Sequence, residues 1–128
     1  MKILPRESSS LPWGLLLLRL TSGGLMLTHG LPKLIGFSEK MESFPDPIGL
    51  GSPFALTLTV LAEVLCAALL ILGVKTRLVV IPLAITMFVA AFVIHAADPL
   101  QKKELAIMYL SAYLALFLAG GGKFQLKA

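Results

Sequence analysis

The chain has 128 residues, of which 57% are hydrophobic and only 14% charged, with a mean hydropathy of +0.90; soluble domains run at about 45–50% apolar and about 25% charged. So small a soluble protein has too much surface to cover with so few charges, which points to a bilayer rather than a larger core, and the length holds it to one domain. The net charge of +4 and pI near 9.5 do not indicate nucleic acid, because the basic residues lie in pairs between apolar stretches and form no stripe.

At the N-terminus, Lys2 and Arg6 ahead of an apolar stretch look superficially like a secretory leader. That stretch is longer than a leader's core, contains Arg19, and is followed by no small-x-small cleavage site, so a retained first helix is expected. Crossing about 30 Å of hydrocarbon takes about 20 residues, and four segments qualify: 11–35, 53–72, 77–97 and 103–119. Pro12 suits a first helical turn and Trp13 an interfacial anchor. The second segment opens on Pro53 and ends at Gly73. The third stops before Asp98-Pro99, and the fourth runs into Gly120-Gly121-Gly122. Pro82 lies one turn inside the third, and Pro32 is placed to kink or end the first. A β-barrel would alternate in polarity, whereas these runs are apolar on all faces.

The connections are unequal. Residues 36–52 form the longest, with Pro45, Pro47, Gly49 and Gly51 for turns. It also carries Met41, Phe44, Ile48 and Leu50, so it is expected to lie on the membrane or fold back over the helices. The short link Gly73-Val74-Lys75-Thr76 makes the middle helices antiparallel neighbours. One side of the membrane receives Lys2, Arg6, Lys75, Arg77, Lys123 and Lys127 against Glu7. The other receives Lys33, Lys40, Lys102 and Lys103 against Glu39, Glu42, Asp46, Asp98 and Glu104. The excess of Lys and Arg sets the first side as cytoplasmic. The expected fold is therefore an all-α integral membrane four-helix bundle with both termini in the cytoplasm, a single membrane domain over residues 1–128.

Arg19 and Glu63 remain inside the membrane, where a charge at helix centre costs about 2.5–3.5 kcal/mol. Arg19 lies about 10 Å and Glu63 about 15 Å from the cytoplasmic helix ends, a gap the arginine side chain spans, so an ion pair between the first two helices is expected. It reads either as a clamp on helix packing or as a polar site for a quinone head group, a proton or an anion. At the outer face, His29 and Lys33 (i, i+4) close the first helix, His95 and Asp98 (i, i+3) close the third, and Lys103 and Glu104 open the fourth. Two histidines and two carboxylates suit proton exchange with a quinol. His29 and His95 are also the candidates for a metal, although neither spacing is a metal signature; interfacial hydrogen bonding and helix capping are the plainer alternative. Tyr109 and Tyr113 (i, i+4) line the same cavity or simply pack. Cys66, the one cysteine, is read as a small buried residue; with no partner in the chain, it excludes dithiol chemistry by this protein alone. No Gly-rich phosphate loop, Gly-x-Ser-x-Gly or zinc-finger spacing is present, and no catalytic residue is identified.

In order along the chain stand Leu-Arg19-Leu-Thr with Gly23-Gly24, His29-Gly-Leu-Pro-Lys33-Leu, and Phe44-Pro-Asp-Pro-Ile-Gly-Leu-Gly51. Ala62-Glu63, Leu72-Gly-Val-Lys-Thr-Arg77, His95-Ala-Ala-Asp98-Pro and Lys103-Glu104-Leu-Ala-Ile-Met-Tyr109 follow. Singly weak, together they make the chain, from Trp13 to Phe124, similar to the DoxX family of small bacterial and archaeal membrane proteins. The resemblance implies a place in the bacterial inner membrane and association with quinol oxidase, thiosulfate or thiol-related redox systems. The lone cysteine leaves disulfide exchange dependent on a partner's thiols. The expectation is an accessory to a membrane redox system, with quinone as cofactor or ligand, the lipid bilayer and redox-complex proteins as partners, and homo-oligomers a further option. The alternatives are an assembly or scaffold subunit, or a small oligomeric channel or transporter.

Overall fold

The computed structural model describes residues 10–126. The charges on Lys2, Arg6, Glu7 and Lys127 lie outside the described residues. Helices α1 (Leu11–Ile35), α2 (Phe37–Lys40), α3 (Ser52–Leu72), α4 (Thr76–Ile94) and α5 (Leu100–Ala119) follow in chain order, and no strand occurs among the described residues. Helices α1, α3 and α4 are each long and apolar enough to cross a membrane. Helix α5 has the length but opens on Lys102, Lys103 and Glu104 and falls short of that apolar standard.

The four long helices alternate in direction. The starts of α1 and α4 and the ends of α3 and α5 share one end of the molecule, here the terminal end. The connection of residues 36–51 and the turn between α4 and α5 share the other, the loop end. Helix α3 packs along α1, and α5 along α4. The Tyr113 hydroxyl ties α5 to α1 by donating to the Ser22 carbonyl at 2.9 Å.

Apolar side chains line the outside as well as the core. Leu17, Leu78, Leu118 and Ile85 are exposed, while Arg19, Ser22, Glu63 and Thr76 are buried. Large exposed apolar faces around a partly polar interior suit lipid, where leucine gains nothing by turning inward. The α1–α3 contact depends on small residues. At Gly30 a Cβ would come within 2.8 Å of the Glu63 backbone, so the two helices touch main chain to main chain there. A side chain at Gly30 would force them apart.

Helix α1 ends at Ile35 as expected and carries Pro32 inside it. The ends of α4 and α5 differ from expectation. Helix α4 ends at Ile94, three residues early, because its last turn widens to a π turn closed by the His95 N–H on the Ala90 carbonyl at 3.0 Å. Helix α5 begins at Leu100, because extended Pro99 sits at its cap and the charged residues after it form the first turn. A second π turn, Leu61–Cys66, interrupts α3 around Glu63.

The terminal end is closed by two arginines. A helix leaves its last four carbonyls without intrahelical donors. Those of α3 are all met. Gly73, left-handed at φ +77°, and Val74 close a Schellman turn by donating to Leu70 and Leu69 at 3.1 and 2.9 Å. Arg19 Nε donates to Leu70 at 3.1 Å and Nη2 to Ile71 at 2.9 Å. The Leu126 N–H reaches Leu72 at 3.2 Å. Arg19 Nη1 also holds the carbonyls of Gly121, at 3.2 Å, and Phe124, which fastens the C-terminal segment across the end. Arg77 does the same for α5, donating to Phe117 at 3.1 Å and Leu118 at 3.4 Å. A cation at each helix C-terminus also meets the negative end of the dipole.

Candidate functional site

Arg19 therefore does not pair with Glu63, and the expected ion pair is corrected. The antiparallel register explains why. Gly30 lies level with Glu63, while Gly23 lies level with Ala67 and Ile71. This puts Arg19 at the level of Leu70, about two turns beyond the carboxylate. The unpartnered carbonyls at the end of α3 are closer, and a guanidinium with five donors satisfies several of them at once.

Glu63 instead takes Lys33, whose Nζ donates to Oε1 at 2.6 Å. The glutamate side chain is 4% exposed and the lysine 26%. Lys33 stands one helical turn beyond Gly30 and so shares its face of α1. The close approach at Gly30 lets the ammonium reach a carboxylate near the middle of α3. The π turn around Glu63 fits a functional position, since such turns in α-helices occur often at sites.

The ion pair lies in the wall of a cavity of about 380 Å³ at the loop end, within the common range of small-molecule sites. Leu58, Thr59 and Glu63 of α3 form one wall, and Ile85, Thr86, Val89 and Ile94 of α4 face them. Phe44, Pro45, Pro47 and Ile48 cover it, so the apolar connection folds back over the helices. Asp46 fixes that cover by accepting from the N–H groups of Leu50 at 3.2 Å and Gly51 at 2.8 Å. The lining is mostly apolar with a few convergent polar groups: Lys33, Glu63, His95 and the two threonines.

His95 borders the cavity and contacts Asp98, Nδ1 to Oδ2 at 2.7 Å. This hydrogen bond, with the charge that His95 carries when protonated and the nearby charges of Lys102 and Lys103, holds the Asp98 carboxyl below its usual range against some desolvation. Asp98 is accordingly ionised at neutral pH. Whatever the contact adds to stability is present above the ordinary carboxylate range and lost as pH falls through the depressed value.

The other predicted site residues are placed elsewhere. His29 is exposed and meets Tyr109 edge to face, with ring centroids 5.8 Å apart. Tyr109 is buried and stacks on Tyr113 at 6.1 Å. Lys103 donates to the Ala96 carbonyl at 3.1 Å and so fixes the α4–α5 turn. Glu104 is exposed. His29, His95, Asp98 and Glu104 thus do not form one cluster, and among the described residues no three His, Cys, Asp or Glu side chains are grouped to hold a metal. A roomier depression of about 600 Å³ at the terminal end is lined by Lys75, Thr76, Arg77 and Gly120–Gly122 among others. It is open and shallow, and Arg77 there already serves the α5 carbonyls, so the loop-end cavity is the better enclosed of the two. Thr59, Thr86 and the covering residues were not among the sequence candidates; the apolar Phe44 and Ile48 in a turn-rich connection were their only signal.

No curated protein and no solved structure matches the chain. The DoxX family model matches residues 14–96, which run from α1 through the cavity to His95. The chain, with its three apolar helices, is a membrane protein of the DoxX family.

Proposed function

We propose that this protein is an accessory of a membrane redox system, and that its loop-end cavity takes the head group of a quinone or quinol. The observation that carries this is a largely apolar, covered cavity of about 380 Å³ with a short Lys33–Glu63 ion pair in its wall. Apolar walls suit a ring and the start of an isoprenoid tail, and the ammonium supplies a hydrogen-bond donor to a quinone oxygen. The family membership points the same way. No residue is assigned bond-making chemistry, and the redox steps belong to partner proteins.

A protein stabilised by a ligand at about 100 times its Kd gains about 2.7 kcal/mol. Thermal unfolding in detergent with a short-chain benzoquinone should therefore shift upward in the wild type, and less in Glu63→Gln. An absent shift, or the same shift in Glu63→Gln, contradicts the reading.

The accompanying topology is four spans in the bacterial inner membrane, α5 included, with the terminal end cytoplasmic. Lys75, Arg77 and Lys123 at that end support it by the charge rule. In a Cys66→Ser background, an impermeant maleimide added to spheroplasts should label Ser43→Cys and spare Lys75→Cys. The opposite pattern reverses the orientation.

A further inference from the structure

The His95–Asp98 contact bears on which oxidation state the cavity takes, an inference that rests on the reading of the cavity as a quinone site. An ionised carboxylate has only acceptor sites. A neutral imidazole carries one N–H, and the 2.7 Å contact requires it on Nδ1. That leaves Nε2 with a lone pair and no proton, as the ring atom of this cavity-lining histidine still able to bond a ligand. An acceptor there welcomes an O–H group and repels a carbonyl oxygen. Lys33, by contrast, does not favour the hydroxyl form, because its ammonium only donates and a carbonyl oxygen accepts at least as well as a phenol oxygen.

We infer that Asp98 positions His95 as a hydrogen-bond acceptor, so that the cavity selects the reduced, hydroxyl-bearing hydroquinone over the oxidised quinone. Asp98 acts through His95 and touches no ligand: it is a positioning residue. One hydrogen bond made in one state and denied in the other corresponds to roughly tenfold in affinity.

The test is calorimetric titration of the detergent-solubilised full chain at about pH 8, where an imidazole is ordinarily neutral. The probes are a short-chain benzoquinone, its hydroquinone under argon, and the dimethyl ether of that hydroquinone, which keeps the ring but has no O–H. Wild type should bind the hydroquinone about tenfold tighter than either other probe. In Asp98→Asn the carboxamide offers a donor as well as acceptors, the tautomer is no longer fixed, and the preference should fall to about twofold or less. His95→Phe keeps an aromatic ring without an acceptor and should lose the preference as well. Equal binding of all three probes by the wild type, or a preference unchanged in both variants, overturns the selection while leaving the quinone site standing. No binding of any probe overturns both.

Discussion

Arg19→Leu should destabilise the protein by at least about 3 kcal/mol, since it takes the donor from the carbonyls of Ile71, Gly121 and Phe124, leaving Leu70 only its bond from Gly73, and each such loss costs about 1–3 kcal/mol. Leucine is the more lipid-friendly residue, so a hydropathy argument alone predicts the reverse. The C-terminal segment should come loose as well. Trp13 packs on Phe124 with ring centroids 4.6 Å apart, so its fluorescence should change, and protease should cut after Lys123 faster than in the wild type. Arg19→Lys should recover little, because one ammonium cannot serve carbonyls on α3 and on the tail together. Wild-type unfolding and proteolysis in Arg19→Leu would show that the guanidinium does not hold that end.

Lys33→Met should lower stability by about 3 kcal/mol, the low end of the loss for a buried ion pair, because the ammonium is 26% exposed. It leaves the Glu63 carboxylate 4% exposed with its partner gone. Replacing both groups, as in Lys33→Met with Glu63→Leu, should restore most of the loss, since two apolar side chains leave no charge uncompensated. Unfolding of both variants in the same detergent checks this. A double variant as unstable as the single one would mean that the pair itself, rather than the stranded charge, holds α1 to α3. Full stability in the double variant with quinone binding abolished would separate the pair's role in the site from its role in the fold.

Much of the helical fold was legible in the sequence. Long apolar runs broken by Pro53, Gly73 and Asp98-Pro99 mark the helices that the structure contains, because in lipid a helix is what satisfies an apolar segment's backbone. Counting residues along each helix put Arg19 and Glu63 close enough in depth to pair, whereas the register sets them about two turns apart. Partner choice depends on the register between helices. That register is set by the contact at Gly30, and a single glycine among eleven gives no sign of it in sequence. Lys33 was assigned to the outer face by its position near the end of α1, whereas its flexible stem lets the ammonium turn inward to Glu63. Among the outer groups, His95 and Asp98 were correctly read as neighbours, since i, i+3 spacing at a helix end brings them together. His29 and Glu104 depend on helix rotation, which all-apolar faces leave undefined.

The central claim is that the cavity beside Lys33 and Glu63 is a quinone site. The most direct measurement is photolabelling of the full chain with an azidoquinone, followed by mapping of the labelled residues. Labels are expected on the cavity walls and cover, at residues such as Phe44, Ile48, Leu58 and Ile85, suppressed by excess unlabelled quinone and weakened in Glu63→Gln. Labels confined to the lipid-facing leucines or to the terminal end, and not competed by free quinone, would contradict it.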